Sequence, residues 1–591
     1  MSDSPPLSHA HSPGDFTADR RILLLMAVAV LVGTGAVGTA WLLLKLIALC
    51  TDLAYYGRLS TETLTPADAH PGLWAIPIPV IGCLIIGLMA RYGSEKIRGH
   101  GIPEAIEAIL IGKSRIDPKV AVLKPLSSAI SIGSGGPFGA EGPIIMTGGA
   151  VGSLLAQTIH LSSTERKALL VAGAAAGMTA IFGTPLAAVL LAVELLLFEW
   201  RPRSFLPVAV AAAVAAAERT LLLDPAPLFT YAGGMAPSLS GMGAWAAIGL
   251  LAGLGSGVLT AMVYGCEDLF QKLPIHWMWW PLLGGLVVGI GGAIEPAALG
   301  VGYDNIRHLL DGDLVWRAVL LLLVVKSVIW AVALGSGTSG GVLAPLLIFG
   351  GCLGALAEYI LPGAPAGFWP LLGMAAMMGG TMRSPLTATL FAMELTGDYQ
   401  AGLPLLVACL VAHATTVLLL KRSILTEKIA RRGLHITREY QTDPFDQAWV
   451  KEVMVREVDV VPADWTAGET VDFFLTPGAP HHKSYPVADD GGRVLGMVSR
   501  ADILAWTRSG SDIDRQAPVG SLVSGADLVT GQADELVGSL ADRMARSGAG
   551  RVPILDGDGK LAGLVARKDL LLARARRQAE EHDHAVLLRL R

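Results

Sequence analysis

From residue 22 to about residue 433 the chain runs as long apolar stretches separated by short polar breaks. A bilayer core needs about 20 apolar residues per helix. Clear spans are predicted over 22–53, 72–92, 205–222, 242–264, 281–294, 316–334, 342–360 and 402–420. Six further stretches, 102–112, 143–158, 168–181, 184–198, 370–380 and 385–396, are shorter or broken by Gly and Pro. Such pieces cannot each cross a bilayer. At membrane depth they are tolerated only where they pack in protein or line a cavity. This is a transporter or channel pattern rather than a receptor anchor. From residue 434 the pattern turns charged and polar, as in "RRGLHITREYQTDPFDQAWVKEV", then alternates, as in "GRVLGMVS", and ends in the basic helix "RKDLLLARARRQAEE". The predicted organisation is a polar tail at 1–20 and a membrane domain at 21–433 with halves at about 21–222 and 242–433. A linker at 434–446, two soluble units at 447–507 and 517–574, and a tail at 575–591 follow.

Composition strengthens this division. Of 591 residues, 52% are hydrophobic and only 16% charged, against about 25% charged in soluble domains. The net charge of −5 argues neither for nor against nucleic acid, and no nucleic-acid partner is expected. Cys50, Cys83, Cys266, Cys352 and Cys409 all lie in apolar stretches without metal-ligand spacing, so they read as small core residues. No metal site is expected. The first twenty residues are polar, and the first apolar run is too long for a signal sequence.

The membrane half repeats itself. "TPLAAVLLAVEL" (184–195) matches "SPLTATLFAMEL" (384–395), and "EGPIIMTGGAVGSLLAQ" (141–157) matches "LAPLLIFGGCLGALAE" (343–358). Two matches in one order at nearly one offset point to the internal repeats of transporter folds, whose sites lie where short helices aim their N-termini at an ion. In each repeat a Gly-rich turn precedes a Pro near a helix start: "GGPFGAEGP" and "GTSGGVLAP". Pro suits a first helical turn, and Gly lets backbone N–H groups face a ligand. Two such ends, each carrying about half a positive charge, would form an anion site from backbone alone. Glu141 then stands as an anion at the mouth of an anion site. Ionised it can block that site, and protonated or displaced it can open it. The plainer reading is a helix N-cap carboxylate, although ionisable residues inside a membrane are functional by default.

At these residues the sequence resembles the CLC family of chloride channels and chloride/proton exchangers over roughly 20–435. "GHGIPE" (99–104) is similar to the family's GSGIP loop, "GAEGP" (139–143) to GREGP, and "GVLAP" (341–345) to GxFxP; "GTPLAAVLLAVE" (183–194) also matches. The resemblance implies a membrane all-α fold with inverted-topology repeats and broken helices, and a homodimer with one pore per subunit. It implies Glu141 as the gate. The implied anion-binding set is His100, Gly101, Ile102, Gly139, Ala140, Gly142, Val342, Leu343, Ala344 and Leu425. This chain departs from the family at several of these. His100 replaces the serine of the central anion site, Ala140 an arginine, and Leu343 an aromatic residue. Leu425 stands where a tyrosine hydroxyl is usual. Backbone N–H groups of Val342 and Leu343 would still serve. His100 either bonds a loop carbonyl or faces the ion path and confers pH sensitivity. Leu195 stands where exchangers carry an inner proton-relay acid, which tilts the reading toward a channel or weakly coupled transporter. Glu194 is the candidate substitute on the proton path. It can equally be a carboxylate bonded to a neighbouring helix, as can Glu394.

The soluble tail resembles a pair of CBS domains, an α/β Bateman module. Each unit runs strand, polar turn, strand, helix: "SYPVADDGGRVLGMVSRADIL" (484–504) and "RVPILDGDGKLAGLVARKDLL" (551–571). The resemblance implies a cleft for an adenine nucleotide (ATP, ADP or AMP), with a hydroxyl and an Asp as contacts. The first unit keeps Gly496, Ser499 and Asp502. The second keeps Gly563 and Asp569 but has Ala566 for the hydroxyl. A purely structural dimerisation module is the competing reading.

The expected function is chloride transport through a pore gated by Glu141, regulated by the CBS pair and weakly or not proton-coupled. Proton-coupled chloride exchange is the alternative, and fluoride export the second. No cofactor is required for it. Within the membrane segments there is neither an HExxH motif nor a clustered His/Asp pair, so an enzyme is not expected. The expected location is the plasma (inner) membrane, spanned many times, with the N-terminus and CBS tail cytoplasmic. The partners are chloride, the lipid bilayer and, for an exchanger, protons.

Overall fold

A computed structural model of the chain describes residues 21–575 apart from 111, 160, 224–226, 232, 234–238, 240, 362, 434–444, 446–447, 477–481, 508–513 and 524–527. The expected tail at 1–20, nearly all of the 434–446 linker and residues 576–591 of the C-terminal tail lie outside the described residues. Two units divide the chain at Glu439 and Tyr440.

Unit one is helical throughout. Its first series is α1 (Arg21–Thr51), α2 (Pro77–Tyr92), α3 (Ile102–Leu110), α4 (Pro118–Gly133), α5 (Glu141–Thr158), α6 (Ser163–Phe182), α7 (Pro185–Leu191) and α8 (Pro202–Leu222). Its second is α9 (Met242–Gln271), α10 (Trp280–Ile294), α11 (Tyr303–Asp311), α12 (Trp316–Gly335), α13 (Leu343–Ala357), α14 (Phe368–Met382), α15 (Pro385–Thr396) and α16 (Gly402–Leu419). A further helix, α17 (Ile424–Arg431), follows. The two series match element for element, so the repeat extends well beyond the two stretches that sequence comparison reveals.

Among the described residues, seven helical segments are long and apolar enough to cross a bilayer: Arg21–Tyr56, Gly72–Tyr92, Pro202–Leu222, Met242–Gln271, Trp277–Ile294, Trp316–Gly335 and Gly402–Arg431. Their outer faces carry exposed apolar side chains such as Leu31, Val258 and Val324. Hydrocarbon tolerates these, because a helix satisfies its own backbone. The 342–360 stretch differs from expectation. It is a helix of 15 residues, α13, because its first residue belongs to the preceding Gly-rich turn and 358–360 leave the helix. Most of α13 is buried, as is most of α5. Helices α5 and α13 are therefore interior ones. Helix α4 was not anticipated, since Pro125 and a run of serines interrupt its apolar pattern.

Unit two holds two small sheets of one design. The elements in order are α18 (Val450–Val453), β1 (Val461–Pro462), α19 (Ala467–Leu475), β2 (Ser484–Ala488), β3 (Val494–Ser499), α20 (Arg500–Thr507), α21 (Val519–Val523), β4 (Gly531–Gln532), α22 (Val537–Ser547), β5 (Arg551–Leu555) and β6 (Leu561–Ala566). The orders are β1-β2-β3 and β4-β5-β6, the first pair parallel and the second antiparallel in each. The register shifts at Val487/Ala488 and, equivalently, at Ile554/Leu555. The leading segments cross over. Ala448 and Val450 join the core of the second sheet, and Val519 and Val523 that of the first.

Candidate functional site

The Gly-rich turns before α5 and α13 meet backbone to backbone. Gly139 N–H donates to the Gly341 carbonyl at 3.2 Å, and Gly341 N–H donates to the Gly139 carbonyl at 2.8 Å. This exchange sets the two helix starts against each other. The N–H groups in the first turn of a helix have no intrahelical acceptor, so both ends offer donors to one point. Glu141 opens α5 and is wholly buried. Its Oε1 accepts the N–H of Ala344 in the first turn of α13. The carboxylate of one repeat thus lies on the helix N-terminus of the other. No side chain fits at Gly341, where a Cβ would run into the Glu141 carboxylate and the Gly139 carbonyl.

The loop bearing His100 and Gly101, which leads into Ile102 at the head of α3, joins the same centre. Gly101 has φ +88°, and a Cβ there would stand 2.7 Å from the Gly142 carbonyl. A buried lysine holds the loop. Lys124 Nζ on α4 donates to the carbonyls of Ile97 (2.8 Å) and Gly99 (2.6 Å) and to Ser339 Oγ (3.0 Å), tying it to the turn before α13. The second repeat does the same with Lys326 on α12, which donates to the carbonyls of Ala298 (2.9 Å) and Gly300 (3.1 Å). Each lysine is a cation in the middle of its helix, apart from Lys119 and Arg317 in the first turns, and that is the signal by which sequence could have found it.

Glu104 caps α3 by accepting the Gly101 N–H at 3.1 Å. It is paired with Lys428 (2.7 Å) and Arg432 (3.3 Å) at the end of unit one. This places α17 against α3. Leu425, on α17, is fully buried and carries no hydroxyl. The nearby Tyr264 hydroxyl donates to the Ile424 carbonyl. Beside these groups lies a cavity of about 610 Å³ lined by His100, Glu104, Met146, Tyr264, Lys428 and Arg432, among others. His100 is buried, and its Nδ1 has no hydrogen-bond partner among the described residues.

His100, Gly101, Ile102, Gly139, Ala140, Glu141, Gly142, Val342, Leu343 and Ala344 are thus gathered at three helix starts. Glu194 is placed differently. Its Oε2 accepts from Thr387 N–H (2.9 Å) and Thr387 Oγ1 (2.6 Å), at the start of α15. Glu394 returns the arrangement by accepting from the N–H groups of Leu186 (3.0 Å) and Ala187 (2.8 Å) at the start of α7. Each repeat caps the other's Pro-initiated helix. Leu195 is fully buried.

In unit two, Asp502 Oδ2 accepts from Ser499 N–H (2.8 Å) and Ser499 Oγ (2.6 Å). The pair caps α20. Asp569 accepts the Ala566 N–H at 2.8 Å, which is the half of that arrangement that survives without a hydroxyl.

Residues 82–417 match the voltage gated chloride channel family, and residues 450–508 and 519–576 each match the CBS domain. A protein of Ralstonia nicotianae named as a ClcB-like chloride channel protein is 30% identical over 366 residues, covering 59% of this chain and 84% of its own length. The H(+)/Cl(−) exchange transporter ClcA of Salmonella typhimurium is 27% identical over 459 residues, covering 73% of this chain and 94% of its own. Among solved structures, a slow cyanobacterial Cl⁻/H⁺ antiporter superposes with a TM-score of 0.61 at 21% identity, over 70% of this chain and 98% of the antiporter.

Proposed function

Because this chain belongs to the voltage gated chloride channel (CLC) family, we propose that it carries chloride across the membrane along a path between the starts of α3, α5 and α13, with Glu141 as its gate. One observation carries this reading: the Glu141 carboxylate lies on the α13 N-terminus, the place where backbone dipoles favour an anion. A carboxylate there excludes a chloride ion, and its departure frees the same donors for one. The cavity lined by His100, with Lys428 and Arg432 paired to Glu104 in its wall, supports an approach from the α17 side. No fixed cation need touch the ion, and a weak site allows release. His100 and Leu425 stand where the family places hydroxyls, so the central site rests mainly on the backbone of Val342 and Leu343.

Flux is weakly or not coupled to protons, because Leu195 offers no relay and Glu194 already caps α15. The working unit is a homodimer with one path per subunit, the CBS pair faces the cytoplasm, and an adenine nucleotide held by the first CBS unit at Ser499 and Asp502 tunes the flux. The test is chloride efflux from vesicles holding the purified full chain, with protons recorded at the same time. Chloride flux above that of empty vesicles is expected, and its absence refutes the reading.

A further inference from the structure

The repeat gives the candidate site a second wall. Helix α11 is the counterpart of α3. Both follow a Gly-x-Gly turn, Gly99-His100-Gly101 and Gly300-Val301-Gly302, with positive φ at all four glycines, and each turn hangs from a buried lysine. The α3 turn bears His100 and lines the cavity, whereas no residue of α11 is among the groups lining it. Tyr303, the first residue of α11, is the counterpart of Ile102.

Two buried polar atoms here lack partners. The Tyr303 hydroxyl and Glu141 Oε2 each have no hydrogen bond among the described residues, although buried polar groups are nearly always paired. The Glu141 carboxylate acts electrostatically on the Tyr303 phenol, so both belong to one neighbourhood. Helix α11 packs on α13, the helix whose first turn holds Glu141. The Tyr303 ring is fixed edge-on by Phe182 at 6.4 Å and Phe229 at 6.0 Å between ring centroids. One group is a donor lacking an acceptor, and the other an acceptor lacking a donor.

We propose that the Tyr303 hydroxyl is the docking point of the Glu141 side chain in the open state: on leaving the Ala344 N–H, the carboxyl group is received by the phenol instead of by bare aromatic surface. Tyr303 is then a positioning residue that sets how often the path is free. The proposal rests on the reading of Glu141 as the gate.

The test is a double-mutant cycle on the full chain in vesicles, read as chloride efflux at one fixed pH, with elution volume in detergent to check folding. Tyr303→Phe keeps the ring and removes the hydroxyl. It is expected to slow efflux about fivefold, the factor that one net hydrogen bond is worth. In the Glu141→Ala background, which has no carboxyl group to dock, Tyr303→Phe is expected to change nothing. Undiminished efflux in Tyr303→Phe overturns the proposal and leaves the gate standing. An equal slowing in both backgrounds also overturns it, and makes the hydroxyl a ligand of the anion itself. Glu141→Ala efflux no faster than wild type removes the gate, and the docking point with it.

Discussion

Gly139 and Gly341 exchange both of their backbone hydrogen bonds, at 3.2 and 2.8 Å, and so join the two repeats at the point where their helix starts face each other. Neither position has room for a side chain, because the Glu141 carboxylate fills the space beside both. Gly341→Ala is therefore expected to push the carboxylate off the α13 N-terminus and strain the pair. Overpacking of this kind costs about 1–3 kcal/mol. The expected result is a lowered unfolding midpoint in detergent, and an unchanged midpoint would contradict this close approach.

Glu141→Gln separates charge from shape. A glutamine keeps the volume but is neutral at every pH, so its attraction to the helix end no longer depends on protons. If Glu141 is the gate, wild-type efflux is expected to rise as falling pH protonates the carboxylate and releases it from the N-terminus. In Glu141→Gln, efflux at neutral pH is expected to equal or exceed that of the wild type and to stay flat as pH falls. Vesicle efflux measured from neutral to acidic pH checks this, and an unaltered pH profile in the mutant removes Glu141 as the gate.

The buried lysine clamp is open to the same kind of test. Lys124→Met deprives two carbonyls and the Ser339 hydroxyl of their shared donor. Each buried group left unpaired costs about 1–3 kcal/mol. The expected outcome is a clear loss of thermal stability together with reduced chloride flux, since the His100 loop loses its anchor. Stability equal to wild type would mean that the loop is held by other means.

Much of this arrangement is legible in the chain. The apolar spans, the repeated Pro-initiated helices and the Gly-rich turns all follow from local residue chemistry. What stays hidden is long-range pairing. Glu194 and Glu394 stand out as acids in apolar helices, yet nothing local tells that each caps a helix of the opposite repeat. Lys326 falls within a predicted span whose hydropathy outweighs one charge. Helix α11 is nine residues long and amphipathic, with Ile306, Leu309 and Leu310 as its buried side, so it leaves no apolar run to find. Tyr303 is visible only once Gly300 and Gly302 are aligned with Gly99 and Gly101.

In unit two, Ser499 and Asp502 bond each other at 2.6 Å while capping α20, so both readings of this pair predict different outcomes for Ser499→Ala. Loss of a helix cap costs about 0.5–2 kcal/mol and would lower stability alone. A nucleotide contact would in addition weaken ATP, ADP or AMP binding to the full chain, with Asp569→Ala mattering less because Ala566 already lacks the hydroxyl. Calorimetry with millimolar nucleotide separates them, and no binding heat in the wild type favours the structural module.

The coupling of chloride to protons depends on what can hold a proton between Glu141 and the far side. Leu195 is apolar and fully buried. Leu425 is equally buried and has no hydroxyl. Glu194 accepts the Thr387 N–H and hydroxyl and is thereby held as the cap of α15. Placing a charge at the centre of a bilayer costs about 2.5–3.5 kcal/mol even on insertion scales, so a dry route without an acid carries protons slowly. Vesicles given a chloride gradient and no proton gradient are therefore expected to show chloride flux without stoichiometric proton uptake. Uphill proton movement at a fixed ratio would refute this and point to Glu194 as the relay. Glu194→Gln then decides between the two roles. Abolished pumping with efflux intact assigns the relay to Glu194, whereas lowered stability with the ratio unchanged leaves it as the cap of α15.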